Sequence, residues 1–164
     1  MMDQIEALSP EDLTGPTGAA LLALNNANAR ELSWLEPDRL AHLVDRATFA
    51  HRVGHADALL LAFDQDGDYD GTHFRWFRAH RDRFVYVDRI VVAETARGRG
   101  LARSLYLNLF AQARNLGHDR IVCEVNADPP NPASDAFHAG LGFVPVGTGV
   151  MPEGKTVTYF ELSL

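Results

Sequence analysis

Arg97-Gly98-Arg99-Gly100-Leu101-Ala102 sets glycines and arginines alternately between a β-branched segment and a leucine-rich one. A chain that leaves a strand and enters a helix through such a loop aims unpaired backbone N–H groups and the positive end of a helix dipole at one spot. A phosphate or pyrophosphate is the natural occupant of that spot. Gly98 and Gly100 allow the backbone to approach it closely, and Arg97 and Arg99 add charge. The loop alone is equally compatible with a tight turn carrying solvated arginines. No Gly-x-x-x-x-Gly-Lys-Ser/Thr sequence occurs, which excludes the Walker loop. A dinucleotide fingerprint comes nearer, because Gly98-x-Gly100 follows a strand and Glu124 lies further on. Its third glycine position holds Arg103, too bulky for close helix–strand packing, so a nucleotide-binding oxidoreductase is disfavoured.

Two other side chains could move protons: Asp88 and Glu124. On a strand over Phe84–Val92, Tyr86, Asp88 and Ile90 share one face by period two, and a carboxylate there or at Glu124 on the next strand would serve as a base. Both carboxylates also have a structural reading, as ion-pair partners of Arg89 or Arg120. Asp64 to Gly71 alternates acids and glycines as a calcium loop does, but Phe77 stands where a bidentate Glu is required. The aromatic run His73 to Arg78 comes next in the chain; with Tyr69, Phe74, Trp76 and Tyr86, this region is expected to shape a substrate site. Histidine spacing matches no metal motif, no Gly-x-Ser-x-Gly elbow occurs, and no metal is expected. Cys123, the single cysteine, lies in an apolar run and reads as a buried structural thiol.

The elements that must position these groups are set by patterning. A short strand is expected at Ile5 to Leu8 and an Ala/Leu-rich helix at Gly18 to Asn28, loosened at its end by Asn25-Asn26. A second helix begins near Pro37, with Leu40, Leu43, Val44 and Phe49 on one apolar face. Ala56 to Phe63 reads as a buried strand and Gln65 to Arg83 as a long loop. Phe84 to Val92 is the strongest strand. A helix from Gly100 to Leu116 stops at Gly117, and a strand comes next at Arg120 to Val125. A proline-punctuated turn leads to a short helix from Ser134 to Ala139, then strands at Phe143 to Val146 and Thr156 to Leu162. Helices and strands mixed in this order give an α+β (mixed α/β) class with a central sheet.

On these residues the chain resembles the GNAT superfamily of N-acetyltransferases. Arg89-Ile90-Val91-Val92 precedes a loop of the family's Arg/Gln-x-x-Gly-x-Gly/Ala form. Downstream, Asn131, Phe137 and Gly142-Phe143 fall in register with the family's second signature, while Ser134 replaces its usual Ala. The resemblance covers about Phe84 to Val146. It implies a mostly antiparallel twisted sheet, splayed at the cofactor site and flanked by helices. It also implies acetyl-CoA (coenzyme A) as cofactor, with the pyrophosphate on Arg97, Gly98, Arg99, Gly100, Leu101 and Ala102. The pantetheine arm would lie between Ile90, Val91 and Val92 on one strand and Glu124 to Asn126 on the next. Asn131, Ser134, Phe137 and His138 would complete that site. The implied chemistry is direct attack of an amine on the thioester, without a covalent enzyme intermediate. Where the family usually has tyrosine as the acid that protonates the thiolate, this chain has His138; imidazole, with an ordinary pKa of about 6.5, could take that role or simply pack on the helix. A CoA-binding sensor that has lost the chemistry is the alternative.

Bulk properties set the frame. The 164 residues suit a single domain spanning 1–164, its cofactor-binding half at about 84–146. A net charge of −7 argues against nucleic acid or an anionic membrane as partner. The partner expected is a small-molecule or peptide amine, and family habit makes a homodimer an expectation. With no secretion-like start, no apolar run long enough for a membrane span and one cysteine, a cytoplasmic location is expected.

Overall fold

The computed structural model describes residues 4–164. Its strands are β1 (Ile5–Ala7), β2 (Phe49–Val53), β3 (Ala58–Asp64), β4 (Val85–Val92), β5 (Arg120–Asp128), β6 (Val144–Val150) and β7 (Thr156–Ser163). Its helices are α1 (Pro16–Ala27), α2 (Ala29–Leu32), α3 (Pro37–Arg46), α4 (Thr72–His80), α5 (Leu101–Asn115) and α6 (Pro132–Leu141). The strands form one sheet in the order β1-β2-β3-β4-β5-β7-β6. Every neighbouring pair is antiparallel except β4–β5, which is parallel and joined by the α5 crossover that such a pair needs.

The longest apolar run makes the middle of this sheet: β3 is buried from Ala58 to Phe63. Its alternate side chains feed two cores. Leu60 and Ala62 join Val85, Val87 and Cys123 beneath α5, whose Leu101, Leu105 and Leu109 supply the inner stripe. Leu59, Leu61 and Phe63 join Tyr86 and Val122 on the opposite face, where α1, α3 and α4 pack through Leu21, Leu40, Leu43, Phe74 and Phe77.

Several local expectations are corrected. Phe49 opens β2 instead of closing the apolar face of α3. The expected loop over Gln65 to Arg83 contains α4, whose Phe74 and Phe77 stand three apart on its buried side. Asn25 and Asn26 lie inside α1, and their side chains fix the segment that runs from α2 to α3. Asn26 holds the backbone of Leu35 from both sides, accepting from its N–H at 2.9 Å and donating to its carbonyl at 2.9 Å. Asn25 donates to the Ser33 carbonyl at 3.0 Å, fixing a turn in which Ser33 has φ 83°.

One irregularity positions the site. β4 pairs with β5 only through Val85–Ile121 and Tyr86–Val122. On its other edge β4 carries a bulge: Ala62 pairs with Val87 and Leu61 with Arg89, leaving Asp88 as the extra residue. A bulge bends its strand and increases the local twist, so β4 turns away from β5 where their ladder ends. The bulge also resets the alternation: Ile90 packs into the α5-side core while Tyr86 packs into the other, so these two residues do not share a face.

Leu60 is completely buried at the sheet centre. Leu60→Ala should lower unfolding free energy by about 2–5 kcal/mol in urea titration, with the far-ultraviolet spectrum retained.

Candidate active site

Where β4 and β5 part, a cleft of about 500 Å³ opens through the sheet. Its walls come from both faces. Val87 and Ile90 of β4, Cys123, Val125 and Asn126 of β5, Tyr106 of α5 and Asn131, Ser134 and His138 around α6 line one end. The other end is walled by Glu31, Leu32 and Ser33 after α1, by Tyr69, Gly71, Thr72 and His73 before and at the start of α4, and by Met151, Glu153 and Lys155 in the β6–β7 turn. Tyr86, Asp88, Arg89 and Glu124 stand between. Lys155 Nζ donates to the Arg30 carbonyl at 3.4 Å, bridging the mouth of the second end.

None of residues 97–102 of the glycine–arginine loop lines this cleft; Arg97 lines a second pocket with Ala93, Glu94 and Ala20, Ala23, Leu24 and Ala27 of α1. Gly98 and Gly100 have φ of 81° and 71°, left-handed values that glycine adopts without strain, and a Cβ at either would meet nothing within 4 Å. Gly100 is the N-cap of α5 and supplies no side chain to cap it, so the first amides of a fifteen-residue helix face outward. Arg99 pairs with Asp57 at 3.4 Å. Beyond Tyr86 and Val122, the facing edges of β4 and β5 make no ladder with each other, so backbone donors and acceptors border the gap. At the start of α6, the Asn131 side-chain oxygen accepts from Ser134 N–H at 3.3 Å, leaving its amide nitrogen for the cleft. This geometry suits an elongated ligand: an anionic group on the α5 amides and an amide-bearing arm between the strands.

On the α1/α4 side of the gap, two tyrosine–carboxylate pairs stand together. Tyr69 donates to Asp88 Oδ1 at 2.5 Å, and Arg89 Nε donates to Asp88 Oδ2 at 2.6 Å. Arg89 also donates to Asn25 Oδ1 at 2.8 Å, so the ion pair is tied to α1, and the Asp88 side chain is only 5% exposed. Of the two structural ion pairs anticipated, Asp88–Arg89 is present. Arg120 instead binds Glu161 at 3.1 Å and leaves Glu124 alone. Glu124 is half-buried in the cleft wall with Tyr86 Oη at 2.6 and 2.9 Å from its two oxygens. Burial first, then the nearby Asp88 charge, push its carboxyl up to about 8 against the opposing Tyr86 hydrogen bond and Arg89.

On the α5/α6 side, His138 is buried with both ring nitrogens engaged. Nδ1 lies 2.8 Å from the Ser134 carbonyl, which can only accept, so this nitrogen carries the hydrogen. Nε2 then accepts from the Tyr106 hydroxyl at 2.8 Å. Burial lowers the basicity of the ring and keeps it neutral, against the smaller opposing effects of Ser134 and Asp135. For His138 to present a proton to the sulfur, as the acid reading expects, its Nδ1–H would have to leave the Ser134 carbonyl. The hydroxyl in this pair belongs to Tyr106, whose sequence signal is only that of one more residue in the α5 stripe. Cys123 lies beside Tyr106 as the expected buried thiol, its pKa driven well up by desolvation.

The aromatic expectations divide. Tyr69 and Tyr86 line the cleft. Phe74 is fully buried among Phe63, Tyr69, Phe84 and Tyr86. Trp76 stacks on Tyr159 and His80 at 4.2 and 4.0 Å, outside the cleft lining. Val91 and Phe137, expected at the cofactor, pack into the two cores, so Val91 could reach a ligand only through its backbone. Asp64 to Gly71 is a turn braced by Asp66 N–H to Asp64 Oδ1 at 2.9 Å, and it delivers Tyr69 beneath the sheet. Among the described residues no cluster of three or more His, Cys, Asp or Glu could hold a metal ion, and no helix is long and apolar enough to cross a membrane.

A splayed strand pair beside a helix N-terminus defines the architecture of an acyl-CoA-binding sheet, and comparison with known proteins agrees. Residues 22–143 match the acetyltransferase (GNAT) family, and the chain belongs to it. It is 32% identical over 109 residues to phosphinothricin N-acetyltransferase of Alcaligenes faecalis, a stretch covering 66% of this chain and 51% of that protein. The chain thus spans about half the length of the curated relative it matches. The ribosomal-protein-alanine N-acetyltransferase of Brucella melitensis superposes with TM-score 0.72 at 18% identity, covering 98% of this chain and 99% of that one. A chain of the NatC complex bound to Gag peptide and CoA superposes with TM-score 0.73 at 14% identity, over 100% and 99%. At these identities the likeness is one of fold.

Because the folded state binds the Glu124 proton more tightly than the unfolded chain, wild-type stability falls as pH rises from the ordinary carboxylate range, near 4.5, to about 8. Glu124→Gln lacks this term. Its melting temperature minus that of wild type should therefore grow across that window and level off above it, as read by calorimetry at a series of pH values.

Proposed function

We propose that this protein transfers an acetyl group from acetyl-CoA to an amine acceptor by direct attack, with Glu124 as the base. The observation that carries this reading is the through-sheet cleft, lined at one end by Tyr106 of α5 and with a half-buried carboxyl in its middle, together with the α5 N-terminus left without a side-chain cap. The pyrophosphate lies on Arg97 to Ala102, the pantetheine arm borders the open edges of β4 and β5, and the Asn131 amide reaches it. The thioester then sits in the gap, between a carboxyl on the α1/α4 side and the Tyr106–His138 pair on the α5/α6 side.

An amine arrives mostly as its ammonium ion and must lose a proton before it attacks. Asp88 is a poor base here, because both its oxygens are held and its side chain is buried. Glu124 has one neighbour hydroxyl and a face on the cleft, with a pKa suited to taking protons near neutrality. When the carbon–sulfur bond breaks, the thiolate takes up, through solvent, the second proton released by the attacking nitrogen, while Tyr106, whose hydrogen is held by His138 Nε2, shapes the wall beside the sulfur. Cys123, kept as a thiol by burial, is a poor nucleophile, which accords with transfer without an acyl-enzyme. The acceptor enters past the Lys155–Arg30 bridge into the compartment of Tyr69, Tyr86 and His73.

The test is free-thiol release from acetyl-CoA across a panel of amines, amino acids and peptides. Turnover should appear with at least one amine and fall by about a hundredfold or more in Glu124→Gln. His138→Phe should lower kcat several-fold with little change in acetyl-CoA affinity. Acetyl-CoA binding without any acceptor-dependent thiol release would favour a sensor of the same fold.

A further inference from the structure

The carboxylates flanking the gap are held by tyrosines that stack on each other. The rings of Tyr69 and Tyr86 lie 6.1 Å apart at 27°, and each hydroxyl reaches a different carboxylate. Beyond that symmetry the two pairs differ. Asp88 is the bulge residue, and its oxygens are committed to Tyr69 and Arg89. Glu124 is hydrogen-bonded by one phenol, that of Tyr86, which has only one hydrogen for two carboxyl oxygens, so one of them is left for a proton or for the acceptor.

We propose, resting on the reading of Glu124 as base, that Asp88 and Glu124 form one device: Tyr86 is a positioning residue that aims the Glu124 carboxyl at the acceptor nitrogen, and the Asp88–Arg89 pair supplies the fixed field in which it titrates. Tyr86 is suited to this because it cannot swing. It is 2% exposed, and its ring is enclosed by Tyr69, Phe74 and Phe77. Its hydroxyl donates to Glu124 when the carboxylate is ionised and can accept from it when protonated, so the carboxyl changes charge without changing place. In the step served, an ammonium N–H bond breaks and its proton bonds to a Glu124 oxygen; the freed lone pair bonds to the thioester carbon as the carbonyl π pair moves to oxygen, and collapse of that adduct breaks the carbon–sulfur bond while the nitrogen's second proton passes to the thiolate through solvent.

The groups facing Glu124 give the proposal its sign. From β4 these are Tyr86, Asp88 and Arg89; from the segment before α4, Tyr69; from β7, Tyr159, its register partner; Tyr106 of α5 and Cys123 feel the Glu124 charge from the opposite face of the sheet. Only Asp88 and Arg89 carry opposite charges there, and they are paired. The Tyr86 hydrogen bond favours the ionised carboxyl, so removing it makes Glu124 hold its proton more tightly. The Asp88 charge disfavours the ionised form, so removing it acts in the opposite direction, reinforced by an unopposed Arg89.

The measurement is kcat/KM for the acceptor against pH at saturating acetyl-CoA. Wild type should show a rising limb near pH 8. Tyr86→Phe should move that limb up by about one pH unit and Asp88→Asn should move it down by a comparable amount, with KM for acetyl-CoA within about twofold in each. Should Asp88→Asn fold poorly because Arg89 is left buried and unpaired, Asp88→Asn/Arg89→Gln removes the whole pair. In that background, adding Tyr86→Phe should still raise the limb. A limb unmoved by Tyr86→Phe while kcat falls, or moved the same way by both single substitutions, overturns the proposal. Wild-type rates in Glu124→Gln would overturn the base reading itself, a separate outcome.

Discussion

Parallel strands stay hydrogen-bonded only while they run alongside each other, and β4 does so with β5 for just two residue pairs. The bulge that inserts Asp88 comes immediately afterwards and bends β4 away. That interruption creates the cleft, exposes the strand edges that border it, and turns Asp88 and Arg89 toward α1. It is sustained by cores on both sides of the sheet, so the opening is flanked by tightly packed structure instead of by loops.

The same interruption divides the chemistry between the two faces of the sheet. Residues 123 and 124 are neighbours on β5, yet period-two alternation sends the Cys123 thiol toward Tyr106 and His138 and the Glu124 carboxyl toward Tyr86 and Tyr159. The Glu124 carboxyl and the Tyr106–His138 pair are therefore separated by the sheet itself, and both line the cleft only at the gap. Each side has its own hydrogen-bonded chain: Asn25–Arg89–Asp88–Tyr69 on one, and Ser134–His138–Tyr106 on the other.

The sheet, its strongest strands and the glycine–arginine loop are legible in the sequence because each rests on local pattern. β-Branched runs, a leucine stripe at four-residue spacing and glycines at positive φ all announce themselves within a few residues. The features that stay hidden are set by tertiary contact. α4 is obscured because its aromatics have poor helix propensity and a run of Asp and Gly precedes it. The face of Ile90 is masked because a bulge leaves no mark in a β-branched strand. Phe74 and Trp76 draw notice as aromatics near a site, but they pack behind it. Tyr106 is invisible as a functional group, since its signal is that of a core residue. Asn25 does leave a trace, a polar side chain within the buried stripe of an alanine-rich helix, but its partner Arg89 lies 64 positions away.

The bridge from Lys155 to the Arg30 carbonyl joins two segments that contribute nothing to the β4–β5 pairing. The residues after α1 and the β6–β7 turn form the rim at the second end of the cleft, whereas Asp88, Glu124, Tyr106 and His138 sit on β4, β5, α5 and α6. Insertions, deletions or substitutions along that rim can accumulate without touching the gap. The rim and the gap are thus separable parts of the architecture, one able to change shape while the other keeps its geometry.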